Sequence, residues 1–256
     1  MAAGQGTRLK PITDVINKHL LPIYDKPMIF YPLSVLMLCK IKEINIIVNP
    51  DQTDNFYKLL GDGTQYGIKI IYTTQKESNG IGEAFSLSES FIGNDSCALI
   101  LGDNIFYRDS MQSFLSKSIE NLNGATIFAY HVGDPERFGV VNFKEDGSPD
   151  SIEEKPNNPK SSFAIPGLYF YDNSIKEIYK RVPPSARGEI EITDINNEYL
   201  KMNKLNVVKL GRGVTWLDVG LPDSIIEASS FIRTIEKRQG LKIANLEEIA
   251  LSLGYI

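Results

Sequence analysis

Residues Tyr31 to Thr73 read YPLSVLMLCKIKEINIIVNPDQTDNFYKLLGDGTQYGIKIIYT, and the rhythm of this stretch decides the fold class. Tyr31–Cys39 has apolar residues at helical spacing, and Ile44–Val48 is short and Ile-rich. Asp54–Leu60 returns to helical spacing, and Ile68–Thr73 is short and apolar again. Alternating strands and helices predict an α/β protein, Rossmann-like, with a mainly parallel sheet and helices on both faces. Outward from here the pattern continues with helices at Gly82–Phe91 and Asp109–Asn121 and strands at Ala98–Leu101 and Thr126–Val132. Asp54 and Asp109 have the side chain expected of N-caps. From about Phe138 the grammar changes. Strands at Gly139–Phe143, Ser151–Glu154 and Phe163–Tyr171 are separated by turn-rich segments such as Glu145-Asp146-Gly147-Ser148-Pro149, which predicts an inserted antiparallel region. Helices Asn173–Arg181 and Ile192–Met202, strand Leu205–Leu210, helix Asp223–Arg238 and a short last helix complete the reading. No repeat and no long linker divides the chain.

With 256 residues, 42% apolar and 23% charged, the chain has the composition of a folded globular protein, neither disordered nor fibrous. Its longest apolar candidate for a membrane span, Met28–Cys39, contains Pro32 and Ser34 and falls short of the ~18 residues required. The N-terminus is Gly-rich and polar where a signal peptide carries an apolar core, so a cytoplasmic location is expected. A net charge of −5 argues against a nucleic-acid surface but leaves room for a local cationic site. Cys39 and Cys97 read as buried reduced thiols. No His/Cys cluster has zinc spacing.

Several segments carry chemistry. In Ala3-Gly4-Gln5-Gly6-Thr7-Arg8 the glycines let the backbone approach a phosphate, and Arg8 adds a planar fork of donors. Leu9 stands where a dinucleotide fingerprint wants a third glycine, and no Gly-Lys-Ser/Thr of a P-loop is present. A plain Gly-rich turn is the alternative. Lys18 follows closely enough to reach the same phosphates, or it is a solvated lysine. Asp103 follows an apolar strand, at the edge where parallel sheets bind ligands. Asp218 follows a second apolar stretch. Together the two can share Mg²⁺ with phosphates, whereas separately each is an ordinary turn Asp. In Glu153-Glu154-Lys155-Pro156, Pro156 predicts an extended Lys155. Arg187 and the acidic run Glu189 to Asp194 form a further cluster, or simply an acidic helix start. The Gly loop begins at residue 2 with no strand before it, an unusual setting for such a loop.

Taken together, AAGQGTRLKP, LLPIYDKPMI, LGDNIFY, FAYHVGDPERFGVV, EEKP, GLYFYD, SARGEIEITDIN and GRGVTWLDVG resemble the glucose-1-phosphate thymidylyltransferases of the sugar nucleotidyltransferase family. The resemblance implies one domain over 1–256, with 1–137 mainly nucleotide-binding, 138–220 mainly sugar-binding and C-terminal helices over 221–256. It implies conversion of dTTP and glucose 1-phosphate to dTDP-glucose and pyrophosphate. Gly4, Gly6, Thr7, Arg8, Lys18, His19, Gln75, Gly80 and Asp103 would serve the nucleotide. Asn104, Gly139, Glu154, Lys155, Ile165 and Arg187 would serve the sugar phosphate. Asp103 and Asp218 would hold Mg²⁺, and Arg8, Lys18, Asp103, Lys155 and Asp218 would carry catalysis. Members are typically homotetramers feeding deoxysugar synthesis, often of rhamnose; neither nucleic acid nor membrane is an expected partner. His19 replaces a frequent Gln and Phe138 a common Tyr. Both ends are short against the family pattern, and the missing first strand predicts a chain that gains stability and activity when apolar residues precede Met1. A nucleotide-sugar binding protein without turnover and a uridylyl-type enzyme of the same fold are the alternatives.

Overall fold

A computed structural model describes residues 1–77, 79–120 and 122–256. In chain order the strands are β1 (Pro22–Ile23), β2 (Lys26–Pro27), β3 (Glu43–Val48), β4 (Lys69–Thr74), β5 (Cys97–Ile100), β6 (Asn104–Tyr107), β7 (Ala125–His131), β8 (Gly139–Phe143), β9 (Pro149–Glu154), β10 (Phe163–Ala164), β11 (Leu168–Tyr171), β12 (Leu205–Leu210) and β13 (Thr215–Asp218). The helices are α1 (Phe30–Leu38), α2 (Thr53–Leu60), α3 (Glu83–Leu87), α4 (Glu89–Ile92), α5 (Met111–Ile119), α6 (Ile175–Ile178), α7 (Ile192–Lys201), α8 (Pro222–Gln239) and α9 (Leu246–Ser252). No helix among the described residues is long and apolar enough to cross a membrane. The chain forms two compact units. One comprises Met1–Lys76, Ile100–Gln112 and Thr215–Ile256; the other comprises Glu77–Leu99 and Ser113–Val214.

In the first unit β3 and β4 pair in parallel from Glu43↔Lys69 to Val48↔Thr74. The α2 crossover between them buries Phe56 and Leu60, one helical turn apart. Helix α1 is apolar nearly all round and is buried accordingly from Tyr31 to Met37. Its Pro32 lies in the first turn, where the missing N–H forfeits no helical bond. β6 and β13 form an antiparallel ladder from Asn104↔Asp218 to Tyr107↔Thr215. A core of Ile23, Met28, Tyr31, Ile105, Val219, Ala228, Ile232 and Ala244 ties α1, β6 and α8 together. Two residues lead into the Gly loop. Ala2 bridges Val48 in parallel, and its N–H donates to the Ile47 carbonyl at 2.7 Å. The Met1 amine donates to the Ile100 carbonyl at 2.8 Å, and the Met1 carbonyl accepts from Gly102 N at 2.8 Å.

The second unit is built on β7. β12 runs parallel along one edge of it, while β11 and β10 pair antiparallel with successive parts of the other. β8 and β9 extend the sheet from β10, and β5 joins β11. The antiparallel region therefore begins at β7, ahead of Phe138, because β7 itself is the strand on which the insertion is laid. α7 presents Ile192, Ile195 and Tyr199, all buried, at helical spacing.

Five expected boundaries differ in the structure. Phe163–Tyr171 breaks into β10 and β11 because Pro166 has no N–H for a ladder and its carbonyl accepts from Leu168 N at 2.8 Å. Gly82–Phe91 divides into α3 and α4 at Ser88, and Asn173–Arg181 tightens into a 3₁₀ turn after Ile178. Asp54 sits inside the first turn of α2, which a turn at Pro50–Gln52 starts early, so it is not the N-cap. Asp109 stands two residues before α5, and Asn121 lies outside the described residues. β1, β2 and the β6/β13 ladder are too short for periodicity to reveal.

Gly124, at φ 98°, leads into β7, and a Cβ there would collide with the Lys204 carbonyl that starts the β7/β12 pairing. Gly124→Ala is expected to lose at least about 2 kcal/mol of unfolding free energy, measured by urea titration; a loss under about 0.5 kcal/mol would contradict this account.

Candidate active site

The residues expected to hold a nucleotide, Gly80 excepted, lie in the first unit, where Lys18 and Asp103 form an ion pair. Asp103 lies in the turn between Ile100 and β6, and Lys18 in a 3₁₀ turn after the Gly loop. The Lys18 ammonium donates to Asp103 Oδ2, with both side chains largely buried. Burial pushes the Asp103 carboxyl up, but the Lys18 charge and the hydrogen bonds from Lys18 and Asn104 outweigh it and hold the group below the ordinary carboxylate range. The carboxylate is therefore charged at every physiological pH. Removing one partner of a buried pair like this typically costs about 3–5 kcal/mol.

The Gly loop is shaped to the Lys18 stem. A Cβ on Gly4 would lie 3.4 Å from Lys18 Cε, and one on Gly6 would lie 3.2 Å from Lys18 Cβ and 2.9 Å from Thr13 Cγ2. Gly6 also has φ 64°, which L side chains rarely adopt. Thr7 and Arg8 open the turn that follows and are exposed. Arg8 reaches Gly220, where a Cβ would stand 2.6 Å from its Nη2 and 3.5 Å from Asp218 Oδ2. Glycine at 220 thus makes room for the guanidinium beside Asp218. Asp218 ends β13 opposite Asn104, and Val219 N donates to the Asp103 carbonyl at 2.9 Å. The ladder consequently brings Asp103 and Asp218, far apart in sequence, to one end of two strands. Trp216 Nε1 donates to Asn104 Oδ1 at 2.7 Å, and Asn104 Nδ2 to Asp103 Oδ1 at 3.0 Å. This chain orients the carboxylate, and the lone tryptophan was its only sequence signal.

His19 is buried against Gly102, and its Nδ1 and backbone N both meet Asn17 Oδ1, at 2.8 and 2.9 Å. Burial, and then the neighbouring Lys18, lower its pKa from 6.5 to about 3, so the ring is neutral. Gln75 is buried just after β4, with its N–H on the Val48 carbonyl at 2.9 Å. A cavity of about 410 Å³ beside the loop is lined by Gly4, Gln5, Asn17, Asn49, Gln52 and Lys76, among others.

The second unit holds the residues expected for a sugar phosphate other than Asn104, which lies in the first unit. Glu154, ending β9, accepts from Thr193 Oγ1 at 2.6 Å and lies 3.4 Å from Lys155 Nζ and 3.8 Å from Arg187 Nη2. Gly139 is its ladder partner; a Cβ on Gly139 would stand 3.2 Å from Thr193 Oγ1, 3.3 Å from Glu154 Oε2 and 3.8 Å from Ile165 Cδ1. Ile165 N donates to the Gly139 carbonyl at 2.8 Å. Gly80 also belongs to this unit and packs on Glu189 and Ile190 at φ 92°. Lys155 is not extended as Pro156 predicts but sits at φ 42°. The pre-proline restriction acts chiefly against the right-handed helical region, and the chain leaves that region on the left-handed side as it turns out of β9. A non-glycine residue held there stores strain of order 1–3 kcal/mol, a feature that clusters at functional sites. Thr193 and Glu191 belong to the Gly188–Asp194 cluster that the sequence offers, where nothing local separates their roles from those of a plain acidic helix start.

The sequence model of the family described as Nucleotidyl transferase matches residues 1–235. A glucose-1-phosphate thymidylyltransferase of Neisseria meningitidis is 52% identical over all 256 residues, 89% of that protein, and one of Mycobacterium tuberculosis is 49% identical over 88% of its length. A Bacillus anthracis structure in complex with a sucrose, bearing the same enzyme name, is 41% identical with TM-score 0.84, covering 91% of this chain and 93% of that one. A UDP-glucose pyrophosphorylase with UDP-glucose is 26% identical with TM-score 0.79, over 91% and 97%.

Two expectations follow from this geometry. Because the native chain refuses the His19 proton until about pH 3 and the unfolded chain takes it near 6.5, the stability that neutral His19 contributes is present above about 6.5 and is lost as pH falls. His19→Gln should flatten the acid side of the stability–pH curve between those values, by up to about 1.4 kcal/mol per pH unit; an unchanged slope would be inconsistent with a buried neutral ring. At Lys155, glycine relieves the backbone and alanine does not. Lys155→Gly should be more stable than Lys155→Ala by roughly 1 kcal/mol, with turnover reduced in both.

Proposed function

Because the chain belongs to the nucleotidyl transferase family, we propose that it joins dTTP to glucose 1-phosphate, forming dTDP-glucose and releasing pyrophosphate. The observation that carries this reading is the Lys18–Asp103 pair set beneath the Gly loop, with Arg8 and Asp218 meeting at Gly220. Two cations and two carboxylates placed beside a glycine backbone suit a triphosphate with its counter-charge. A Gly-rich turn without a ligand needs none of them.

A phosphate oxygen of glucose 1-phosphate attacks the α-phosphorus of dTTP. The new O–P bond forms as the bond to the bridging oxygen breaks, and pyrophosphate leaves in line with that electron pair. No side chain becomes covalently attached, so the residues act by alignment and charge. Backbone N–H groups of the Gly loop and the Arg8 fork hold the triphosphate and stabilise charge on the departing pyrophosphate. Lys18 joins them while keeping Asp103 ionised. Gln75 lies in the same unit for the base. In the second unit Glu154 accepts from sugar hydroxyls, the Gly139 backbone leaves room for the ring, and Lys155 and Arg187 engage the sugar's phosphate. Asp103 and Asp218 fit Mg²⁺: both are hard oxygen donors at the same end of a ladder, and Asp103 already carries a cation on Oδ2. When bound, the ion supplies positive charge to phosphate oxygens of the reactants.

Pyrophosphate release is expected with dTTP, glucose 1-phosphate and Mg²⁺, and at lower efficiency with UTP. Arg8→Ala and Asp218→Asn should each lower kcat by roughly 10²–10³. Turnover within about threefold of wild type in either variant, or binding of both substrates without pyrophosphate release, would overturn the proposal.

A further inference from the structure

We infer that Glu191 is a positioning residue: its buried carboxylate fixes the Arg187 guanidinium so that the remaining edge faces the phosphate of the sugar phosphate. The inference rests on the function proposed above and adds the residue that gives Arg187 its orientation.

Glu191 occupies the N-cap position of α7, where a side-chain oxygen ordinarily accepts a helix N–H, yet it makes no such bond. Its Oε1 instead accepts from Ser185 Oγ at 2.9 Å and from Arg187 Nε and Nη2 at 3.2 and 2.7 Å. The carboxylate is buried while the arginine side chain is about half exposed. One end of the contact is therefore fixed and the other faces outward. The loop is closed to match: Ser185 N donates to the Glu189 carbonyl and Gly188 N to the Ser185 carbonyl, both at 2.8 Å, with Gly188 at φ 76°. Arg187 N also donates to Ser185 Oγ at 3.2 Å. The Glu191 contact engages Nε and Nη2, which turns the Nη1 side of the planar fork away from Glu191.

The surroundings explain why a fixed orientation matters. Glu154 and Glu189 each lie 3.8 Å from Arg187 Nη2. Burial, and then Glu191 and Glu154, raise the pKa of nearby Asp194, a sign of concentrated negative potential. An approaching phosphate is repelled here except along the outward edge of the guanidinium. An arginine free to turn would be taken up by its own carboxylates, whereas one tied to Glu191 keeps that edge available.

The test compares wild type with Glu191→Ala, Glu191→Gln, Arg187→Ala and the Arg187→Ala/Glu191→Ala double variant, by initial rates of pyrophosphate release and by calorimetric binding of glucose 1-phosphate. Glu191→Ala should raise KM for glucose 1-phosphate roughly tenfold to a hundredfold, the scale of a lost charge-assisted contact, with KM for dTTP within about twofold. The double variant should be no worse than Arg187→Ala, because Glu191 acts through that arginine. Independent, multiplying effects, or equal rises in both KM values, would overturn the assignment. Should Glu191→Ala unfold, Glu191→Gln decides. It keeps the acceptor oxygen and the volume, and it should weaken glucose 1-phosphate binding with melting temperature unchanged; unaltered binding refutes the role. A wild type that binds glucose 1-phosphate but releases no pyrophosphate defeats the parent reading alone, and the same binding series then decides Glu191.

Discussion

The first unit is organised by the need to keep one buried carboxylate charged. Asp103 has lost most of its water, and an isolated ionised carboxylate in that position would take up a proton instead. Lys18 prevents this with a direct contact, and the Lys18 stem then has to be accommodated. That requirement contributes to glycine at position 6, where a Cβ would press on both Lys18 and Thr13. It also accounts for the shape of the loop that presents Thr7 and Arg8 outward. The Gly loop and the Asp103 carboxylate are thus parts of one arrangement, joined through Lys18. A buried pair of this kind is weak evidence for stability in itself, and its value here lies in fixing where the charges are.

The ladder of β6 with β13 performs the second task, which is convergence. Backbone pairing places Asp218 opposite Asn104, and the Trp216–Asn104–Asp103 hydrogen-bond chain sets the rotamers at that end. Rigid strands hold charged groups more accurately than loops do, and a reaction between two anions depends on such alignment. Gly220 completes the arrangement by leaving space for Arg8 beside Asp218.

In the second unit the same logic is applied with the charges exchanged. There the carboxylates Glu154 and Glu191 are the rooted groups, held by Thr193 and Ser185, and the cations Lys155 and Arg187 are the exposed ones. The left-handed backbone at Lys155 and the closed turn around Gly188 are local departures from regular structure beside these exposed cations. In both units ordered neighbours restrict groups that solvent would otherwise let rotate.

The sequence by itself determined the strand–helix alternation, because a period of 3.6 or a short β-branched run is written in neighbouring residues. β3, β7, β8, α7 and β12 stand where that pattern places them, within a residue or two. It also determined which residue types carry the chemistry, since glycine, arginine and paired acids are recognisable wherever they occur. Tertiary structure alone decided which of them meet. Lys18 and Asp103 are separated by 85 positions and Asn104 and Trp216 by 112, and no local spacing encodes such partners. Nor could the sequence show that Ala2 pairs with Val48, or that Lys155 leaves the extended region before Pro156. Both involve backbone hydrogen bonds to segments far away in the chain, at Ile47 for Ala2 and at Phe138 for Lys155, and neighbouring residues do not encode such partners.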